Sequence, residues 1–292
     1  MKNLKKLVTE DNDITTIPGV YDAFTAHLAE EAGFEAVYLS GASLAYTKLG
    51  MPDTGLMSMS EVADSIAYIR DRIDLPIVVD ADTGYGNALN VQRTVRVFER
   101  AGASAIQIED QSLPKRCGHL AGKSLVSAGE MEGKIKAAVD SRQSEDTLIV
   151  ARTDAIIVES FESALERAER YLSAGADIIF VESPRTHAEL AAIGDCFGSR
   201  VPVLANMVEG GQTPITSSDD LAELGYRVAI FPGGLARAVL RQARAYFSSL
   251  KQHGTNKAFE NRMADFDELN TAIGLQHILS ESEKYRGDKQ SL

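Results

Sequence analysis

The chain has 292 residues and a net charge of −12, with 44% hydrophobic and 25% charged residues. This composition is typical of globular proteins and excludes a mostly disordered chain. No Lys/Arg-rich block suggests a nucleic-acid surface, and no apolar run approaches the about 18 residues of a transmembrane helix. The N-terminal segment is polar, and the two cysteines are too few for a disulfide framework. We therefore expect a soluble, reduced, cytoplasmic protein that binds neither nucleic acid nor a membrane.

Short apolar runs rich in Val, Ile and Ala alternate along the chain with segments of helical spacing. The runs are typical of strands buried on both faces, and they cover residues 15–20, 36–41, 76–82, 105–110, 148–154, 178–183, 201–207 and 227–232. Helical spacing predicts helices over 23–33, 60–73, 90–103 and 160–176. Their expected caps are Ser60 and Ser160 at N-termini and Gly33, Gly102 and Gly175 at C-termini.

Eight such alternations predict an α/β fold of the (β/α)8 TIM-barrel type. The structural alternative is a doubly wound open sheet, but the glycine loop of its dinucleotide-binding form is absent. We expect one barrel domain over residues 1–292. Residues 240–292 would form a C-terminal helical extension, which a barrel does not need and which packs outside it on a neighbouring subunit.

Polar residues stand at the carboxyl ends of the predicted strands, where the active sites of barrels form. Clustered carboxylates repel each other unless a cation offsets them, and oxygen ligands without Cys or His favour Mg²⁺ or Mn²⁺. The alternative is that each acid caps a helix or pairs with an arginine. Two of the acids are spaced Asp-x-Asp, which places both on one face of a strand. The set comprises Tyr38, Ser40, Gly41, Asp80, Asp82, Glu109, Arg152, Glu182 and Asn206.

A basic pentapeptide, residues 115–119, follows the fourth predicted strand. Arg116, Lys115 and His119 favour the thiolate form of Cys117, and a thiol with a tuned pKa can donate a proton from a mobile loop. The alternative is a chance basic loop with an idle thiol. For Cys196, near the end of a predicted helix, we expect a buried, inert position.

The motifs DADTGYGN (80–87), IEDQSLPKRCGH (108–119), ARTDA (151–155) and VES (181–183) resemble the isocitrate lyase/phosphoenolpyruvate mutase superfamily. The resemblance implies a (β/α)8 barrel with a swapped terminal helix, assembled as a homotetramer of two helix-swapped dimers. It also implies Mg²⁺ held, largely through water, by Asp80, Asp82 and Glu109.

Further site residues are implied by the same resemblance. Lys-Arg-Cys-Gly-His is the lyase signature, so Lys115, Arg116, Cys117 and His119 are catalytic candidates, together with Arg152 and Glu182. Residues expected to bind the oxo acid or line its cavity are Tyr38, Ser40, Gly41, Ala42, Asp53, Gly118, Arg152 and Asn206.

The resemblance further implies a retro-Claisen-type cleavage of a 2-hydroxy acid into pyruvate or another 2-oxo acid and a carboxylic acid. Cys117 is the expected acid, and the base is left open between Tyr38, Glu182 and a metal-bound hydroxide. The substrate stays open between 2-methylisocitrate and a 2-alkylmalate such as 2,3-dimethylmalate. Residues 206–211 and 231–234 depart from the pattern of 2-methylisocitrate lyases and favour the alkylmalate. The alternatives are an oxaloacetate decarboxylase or hydrolase, a phosphonopyruvate-type P–C bond enzyme, which the Cys-Gly-His sequence disfavours, and a non-enzymatic dicarboxylate-binding module.

Overall fold

The computed structural model describes residues 3–10, 13–116, 122–214 and 216–286. Each strand in them pairs in parallel with the next along the chain, and β8 pairs with β1, which closes the predicted barrel and rules out the open sheet. Nearly every strand residue is buried, as the apolar runs predict. The strands are β1 (Thr15–Val20), β2 (Val37–Leu39), β3 (Ile77–Asp80), β4 (Ala105–Glu109), β5 (Leu148–Thr153), β6 (Ile178–Val181), β7 (Val203–Asn206) and β8 (Val228–Phe231).

Helices connect successive strands, and the longer gap after β2 holds both a short helix and a π-helical turn (Ala45–Leu49). The helices before and around the barrel are α1 (Leu4–Thr9), α2 (Ala23–Glu31), α3 (Gly41–Leu44), α4 (Met59–Arg72), α5 (Ala88–Ala101), α6 (Ala128–Ser141), α7 (Ala155–Val158), α8 (Phe161–Ser173), α9 (His187–Phe197) and α10 (Ser218–Glu223).

The core has two parts. Strand and helix side chains such as Leu39, Ile66 and Phe98 pack between the sheet and its helices. A smaller cluster fills the barrel interior, where Leu4 and Val8 of α1 join side chains of the strands. Burying each such Leu or Val contributes about 1.5–3 kcal/mol. Apolar side chains therefore fill the interior, and the polar positions concentrate at the carboxyl ends of the strands.

Most caps follow the sequence, but one expectation is wrong. Ser160 caps α8 through the Ser163 amide, and Gly102 ends α5 in a left-handed conformation. The N-cap of α4 is Ser58, not Ser60, because Ser58 and Glu61 form a reciprocal capping box. The helix therefore begins two residues earlier than its apolar periodicity indicates.

Cys196 is also placed differently from the expectation, because it is exposed rather than buried. It lies on α9, whose buried side includes Leu190, Ile193 and Phe197. Cys196 does not lie on this buried side of the helix.

A second compact unit runs from Arg237 to the C-terminus, whereas the first ends at Ala236. Its helices are α11 (Gly234–His253, which begins in the first unit), a 3₁₀ helix (Asn256–Arg262), α12 (Phe266–Ala272) and α13 (Leu275–Lys284). Within the unit, Phe259 is buried, packs edge-on against Tyr246 and lies under the Arg262 guanidinium. In the described ranges, no helix combines the length and apolar character that crossing a membrane requires.

Candidate active site

The described site residues converge on the carboxyl end of the barrel. They lie on strands or in the connections that follow the carboxyl ends of those strands, and Arg116 is exposed there. Cys117, Gly118 and His119 lie outside the described residues. The others are Tyr38 on β2; Ser40, Gly41 and Ala42 after it; Asp53 further along; Asp80 and Asp82 at β3; Glu109 on β4; Lys115 and Arg116 beyond it; Arg152 on β5; Glu182 after β6; and Asn206 on β7.

A buried lysine is paired with the acid cluster. Lys115 Nζ lies 2.5 Å from Asp53 Oδ1 and 2.6 Å from Asp82 Oδ1. Desolvation lowers the pKa of Lys115, but Asp82, Glu109 and Asp53 together raise it well above its usual range. Burial raises the pKa of Asp82 to about 7, against the opposing effect of Lys115. One ammonium therefore faces several carboxylates, which leaves an excess of negative charge.

These carboxylates fit a divalent cation. Glu109 Oε1 is buried and accepts no hydrogen bond from the described residues. Gly41 leaves room beside the acids, because a Cβ there would lie 3.1 Å from Asp80 Oδ2. In the described ranges, no three His, Cys, Asp or Glu side chains already surround a common ion position. The hard, all-oxygen donor set is nevertheless of the kind that Mg²⁺ and Mn²⁺ bind.

Arg152 lies beside the acid cluster with its charge retained. Its Nη1 is 3.3 Å from Glu109 Oε2, its Nη2 is 3.4 Å from Glu182 Oε2, and its guanidinium lies over the Phe180 ring. Desolvation lowers its pKa, but Asp154, Glu109 and Glu182 raise it well above its usual range. A permanently charged, planar donor at this position is suited to binding a carboxylate.

Glu182 and Asn206 form a polar pair on the adjacent strand ends. Asn206 Nδ2 donates to Glu182 Oε2 at 3.0 Å, and Ser183 Oγ donates to Glu182 Oε1 at 3.0 Å. Asn206 Oδ1 is buried and accepts no hydrogen bond from the described residues. This amide oxygen is therefore free to accept a bond from a substrate hydroxyl.

A hydrogen-bonded chain links Tyr38 to the acids through Gln107, a residue that the sequence reasoning missed. The Tyr38 hydroxyl donates to Gln107 Oε1 at 3.0 Å, and Gln107 Nε2 donates to Asp80 Oδ1 at 3.4 Å. Burial, followed by the Asp80 charge, raises the pKa of Tyr38 well above its usual range. Tyr38 is thus a hydrogen-bond donor here, which favours Glu182 over Tyr38 as the base.

The start of α3 shapes the wall beside the acids. Ser40 is the N-cap of this helix, and its hydroxyl accepts a bond from the Ser43 amide at 3.2 Å. Ser43 in turn donates to the Pro232 carbonyl at 3.0 Å. The side chain of Ser40 is therefore committed to the helix end, and Gly41 and Ala42 occupy the first turn beside the acid cluster.

The segment after β4 is fastened by polar side chains that the sequence reasoning also missed. The amide of Gln111 binds both the backbone N–H and the carbonyl of Arg116, each at 2.9 Å. Further along, Lys123 Nζ donates to Asp154 Oδ1 at 2.6 Å. Both Gln111 and Asp154 come within two residues of a predicted site residue, and that proximity is the signal that could have found them.

The family model described as phosphoenolpyruvate phosphomutase matches residues 4–251. The chain is 48% identical over 273 residues to a 2-methylisocitrate lyase of Aeropyrum pernix, covering 93% of this chain and 86% of that protein. It is 42% identical over 268 residues to a 2,3-dimethylmalate lyase of Eubacterium barkeri, covering 92% of each.

Two solved structures are similar over nearly the whole chain. Oxaloacetate acetylhydrolase in complex with the inhibitor 3,3-difluorooxalacetate has a TM-score of 0.92 and 31% identity, covering 98% of this chain and 97% of that one. Phosphonopyruvate hydrolase in complex with oxalate and Mg²⁺ has a TM-score of 0.87 and 28% identity, covering 97% and 98%.

Proposed function

Since the chain belongs to the phosphoenolpyruvate phosphomutase family and is a carbon–carbon lyase, we propose that it cleaves a 2-alkylmalate such as 2,3-dimethylmalate into pyruvate, or another 2-oxo acid, and a carboxylic acid. The observation that carries this proposal is the position of Arg152 between Glu109 and Glu182, beside the acid cluster. A charged anion-binding group thus stands next to a candidate cation site and a candidate base.

Members of the superfamily use a divalent metal, and Mg²⁺ is the ion in the phosphonopyruvate hydrolase complex. For this chain we propose Mg²⁺, with Mn²⁺ as a substitute, held by Asp80, Asp82 and Glu109 largely through water. When bound, such an ion supplies Lewis-acid stabilisation to the oxygens of the oxo acid. Gly41 keeps the space beside these acids open, because any larger residue would place a Cβ against Asp80.

The remaining steps fall to protein side chains. Glu182 takes the proton of the substrate 2-hydroxyl, the C2–C3 bond breaks, and its electron pair passes to the second acid as an enediolate. Cys117 then protonates the enediolate carbon, with Lys115, Arg116 and His119 setting the thiol's pKa. Arg152 holds the carboxylate of the substrate. Ser40, Gly41, Ala42 and Gly118 are proposed to contact the oxo acid through backbone and small side-chain groups.

The rim of the barrel favours an alkylmalate over the tricarboxylate 2-methylisocitrate. Glu209 lies at this rim, and a Cβ added to Gly234 would come within 3.2 Å of its Oε1. Glu209 belongs to residues 206–211, which together with 231–234 depart from the pattern of 2-methylisocitrate lyases, and these departures support an alkylmalate. A second candidate activity is hydrolysis or decarboxylation of oxaloacetate, which the similarity to oxaloacetate acetylhydrolase favours and which does not need Cys117.

The experiment is a pyruvate-release assay with Mg²⁺, coupled to lactate dehydrogenase, on 2,3-dimethylmalate, 2-methylmalate, 2-methylisocitrate and oxaloacetate. We expect turnover of the malates. Cys117→Ser should lower kcat by about 10²–10⁴ while oxo-acid binding is retained, because a general acid contributes that much. Cys196→Ser is the matched control, since that thiol is exposed on α9.

A wild-type rate in Cys117→Ser would exclude the thiol as the acid. A preference for 2-methylisocitrate would overturn the argument from residues 206–211 and 231–234. Turnover of oxaloacetate alone, with the Cys117 variant unaffected, would replace the lyase proposal for this site.

We further propose that residues 240–292 form the exchanged part of a helix-swapped homotetramer. Apolar side chains of the second unit support this, because Phe247, Phe266 and Ile278 are more than half exposed. Light scattering should give a tetramer mass, and Phe247→Glu with Phe266→Glu should reduce it. The reduced thiol that the proposed mechanism needs is consistent with a cytoplasmic location.

A further inference from the structure

Asp154 binds the guanidinium of Arg152 along one edge. Asp154 Oδ2 accepts a hydrogen bond from Arg152 Nε at 2.9 Å, and its Oδ1 accepts one from Nη2 at 3.1 Å. Both side chains are buried. This two-point contact between an ionised fork and a carboxylate is the geometry that fixes an arginine most firmly, because rotation of the guanidinium breaks both bonds together.

The contact determines which donors of Arg152 remain for other partners. Nε and Nη2 are taken up by Asp154, whereas Nη1 points toward Glu109, with 3.3 Å to Glu109 Oε2. The open donor edge is therefore the one beside the acid cluster. Among the described residues, Asp154 is the acceptor for Arg152 Nε, so its loss leaves that edge of the guanidinium unanchored.

Asp154 is itself held by Asp110 and Lys123. Its backbone N–H donates to Asp110 Oδ1 at 2.9 Å, and the hydroxyl of Thr153 donates to Asp110 Oδ2 at 2.7 Å. Lys123 Nζ donates to Asp154 Oδ1 at 2.6 Å, and neither of the two side chains is exposed to solvent. Burial raises the pKa of Asp154, but Arg152 and Lys123 lower it to below its usual range. The carboxylate is thus a rigid, ionised support.

We propose that Asp154 is a positioning residue that sets the orientation of Arg152 for binding the oxo-acid carboxylate, with Lys123 fixing Asp154 in turn. The inference rests on the proposed function, because it takes Arg152 as the group that binds the substrate anion. It adds a buried Lys123–Asp154–Arg152 chain that connects the segment following the Lys-Arg-Cys-Gly-His motif to that group.

The test is a double-mutant cycle between Asp154→Asn and Arg152→Lys. Asparagine has the size of aspartate, but its amide nitrogen must face a donor of Arg152 in either orientation. We expect Asp154→Asn alone to raise the dissociation constant for oxalate, measured by calorimetry with Mg²⁺, by about 10- to 100-fold relative to wild type. In the Arg152→Lys background, the same substitution should change it by about twofold or less, because the residue it acts through is gone.

A matched control separates positioning from stability. Asp177 accepts bonds from Arg142 Nη1 at 2.6 Å and from the Ile149 amide at 2.8 Å, before β6 and thus at the amino end of the barrel. Asp177→Asn should lower the melting temperature while leaving oxalate affinity and KM unchanged. If Asp154→Asn folds poorly, Lys123→Met/Asp154→Asn removes both charges of the buried pair and should still weaken oxalate binding.

Additive effects in the cycle, or an unchanged oxalate affinity in folded Asp154→Asn, would overturn the inference. Its failure can be told from that of the proposed function. If the wild-type protein binds oxalate but cleaves no 2-hydroxy acid, the proposed reaction is refuted. The double-mutant cycle on oxalate binding can then still test the role of Asp154. Wild type that binds no oxalate shows that Arg152 does not bind such anions, and the inference then fails as well.

Discussion

The side chain of Gln111 offers a direct way to perturb the segment that precedes the catalytic cysteine candidate. It is 1% exposed and binds both polar groups of the Arg116 backbone, the residue next to Cys117 in the chain. Gln111→Ala removes both bonds. Gln111→Glu keeps the acceptor for the Arg116 N–H but lacks the donor for its carbonyl.

The expected destabilisation of the segment follows from the loss of these two hydrogen bonds. A net contribution of about 0.5–1.5 kcal/mol each gives about 1–3 kcal/mol for Gln111→Ala, which raises the population of the locally opened segment by about 5- to 150-fold. The Arg116 amide should exchange with solvent faster by that factor. We expect kcat to fall as well, by up to about 10²-fold, because a displacement of about 1 Å of a reacting group can cost that much.

The assays are native-state hydrogen exchange and the pyruvate-release assay, with Gln143→Ala as the control. Gln143 donates to the Ser141 carbonyl at 3.2 Å in the connection between α6 and β5, on the amino side of the barrel. Gln111→Glu should fall between wild type and Gln111→Ala. Unchanged hydrogen exchange at the Arg116 amide would show that the Gln111 side chain does not stabilise this segment. Faster exchange with an unchanged kcat would show that the segment does not position Cys117.

Three further predictions concern metal binding and stability. Chelation should abolish pyruvate release until Mg²⁺ is restored, and Glu109→Gln should raise the dissociation constant for Mn²⁺ by about tenfold or more; activity that survives chelation contradicts this. Gly41→Ala places a Cβ 3.1 Å from Asp80 Oδ2 and should weaken Mn²⁺ binding measured by electron paramagnetic resonance, with little change in melting temperature. Ser58→Ala should cost about 1 kcal/mol in urea unfolding at pH 7. Hydrogen bonds from Ser58 lower the pKa of Glu61. The destabilisation by Ser58→Ala is therefore fully present above the unfolded pKa of this carboxyl and should shrink as pH falls through its folded pKa. A destabilisation that does not change with pH contradicts this reasoning.

The sequence predicts the barrel well because its strands are buried on both faces and therefore appear as separate apolar runs. The residues that follow those runs necessarily meet at one end of the barrel, so Asp80, Glu109 and Arg152 could be grouped without any knowledge of contacts. Ser60 shows the limit of periodicity. The apolar stripe of α4 does not mark its first turn, which the reciprocal bonds of Ser58 and Glu61 determine.

Gln107 could have been predicted and was not. It lies two residues before Glu109 on β4, and alternate strand residues point to the same side, which is the rule already applied to Asp80 and Asp82. The apolar run that contains Gln107 indicates a buried strand and by itself assigns this residue no role in the site. Its 0% exposure and its bond to the Tyr38 hydroxyl make it part of the site.

Asp110 has contacts outside the candidate site, and strand periodicity alone cannot predict its partners. Its Oδ2 accepts bonds from the hydroxyls of Thr153 and Tyr171, each at 2.7 Å, and lies 3.4 Å from Arg167 Nη1, so it joins the ends of β4 and β5 to α8. Glu109, its neighbour in the chain, faces Arg152 instead. The two successive acids therefore have different roles. Glu109 lies at the candidate site, whereas Asp110 joins the strands and the helix that carry the site. Since the partners of Asp110 come from β5 and α8, more than forty residues away in the chain, only the folded chain brings them together. Asp110 also accepts a bond from the Asp154 backbone, so these contacts support the aspartate that holds Arg152.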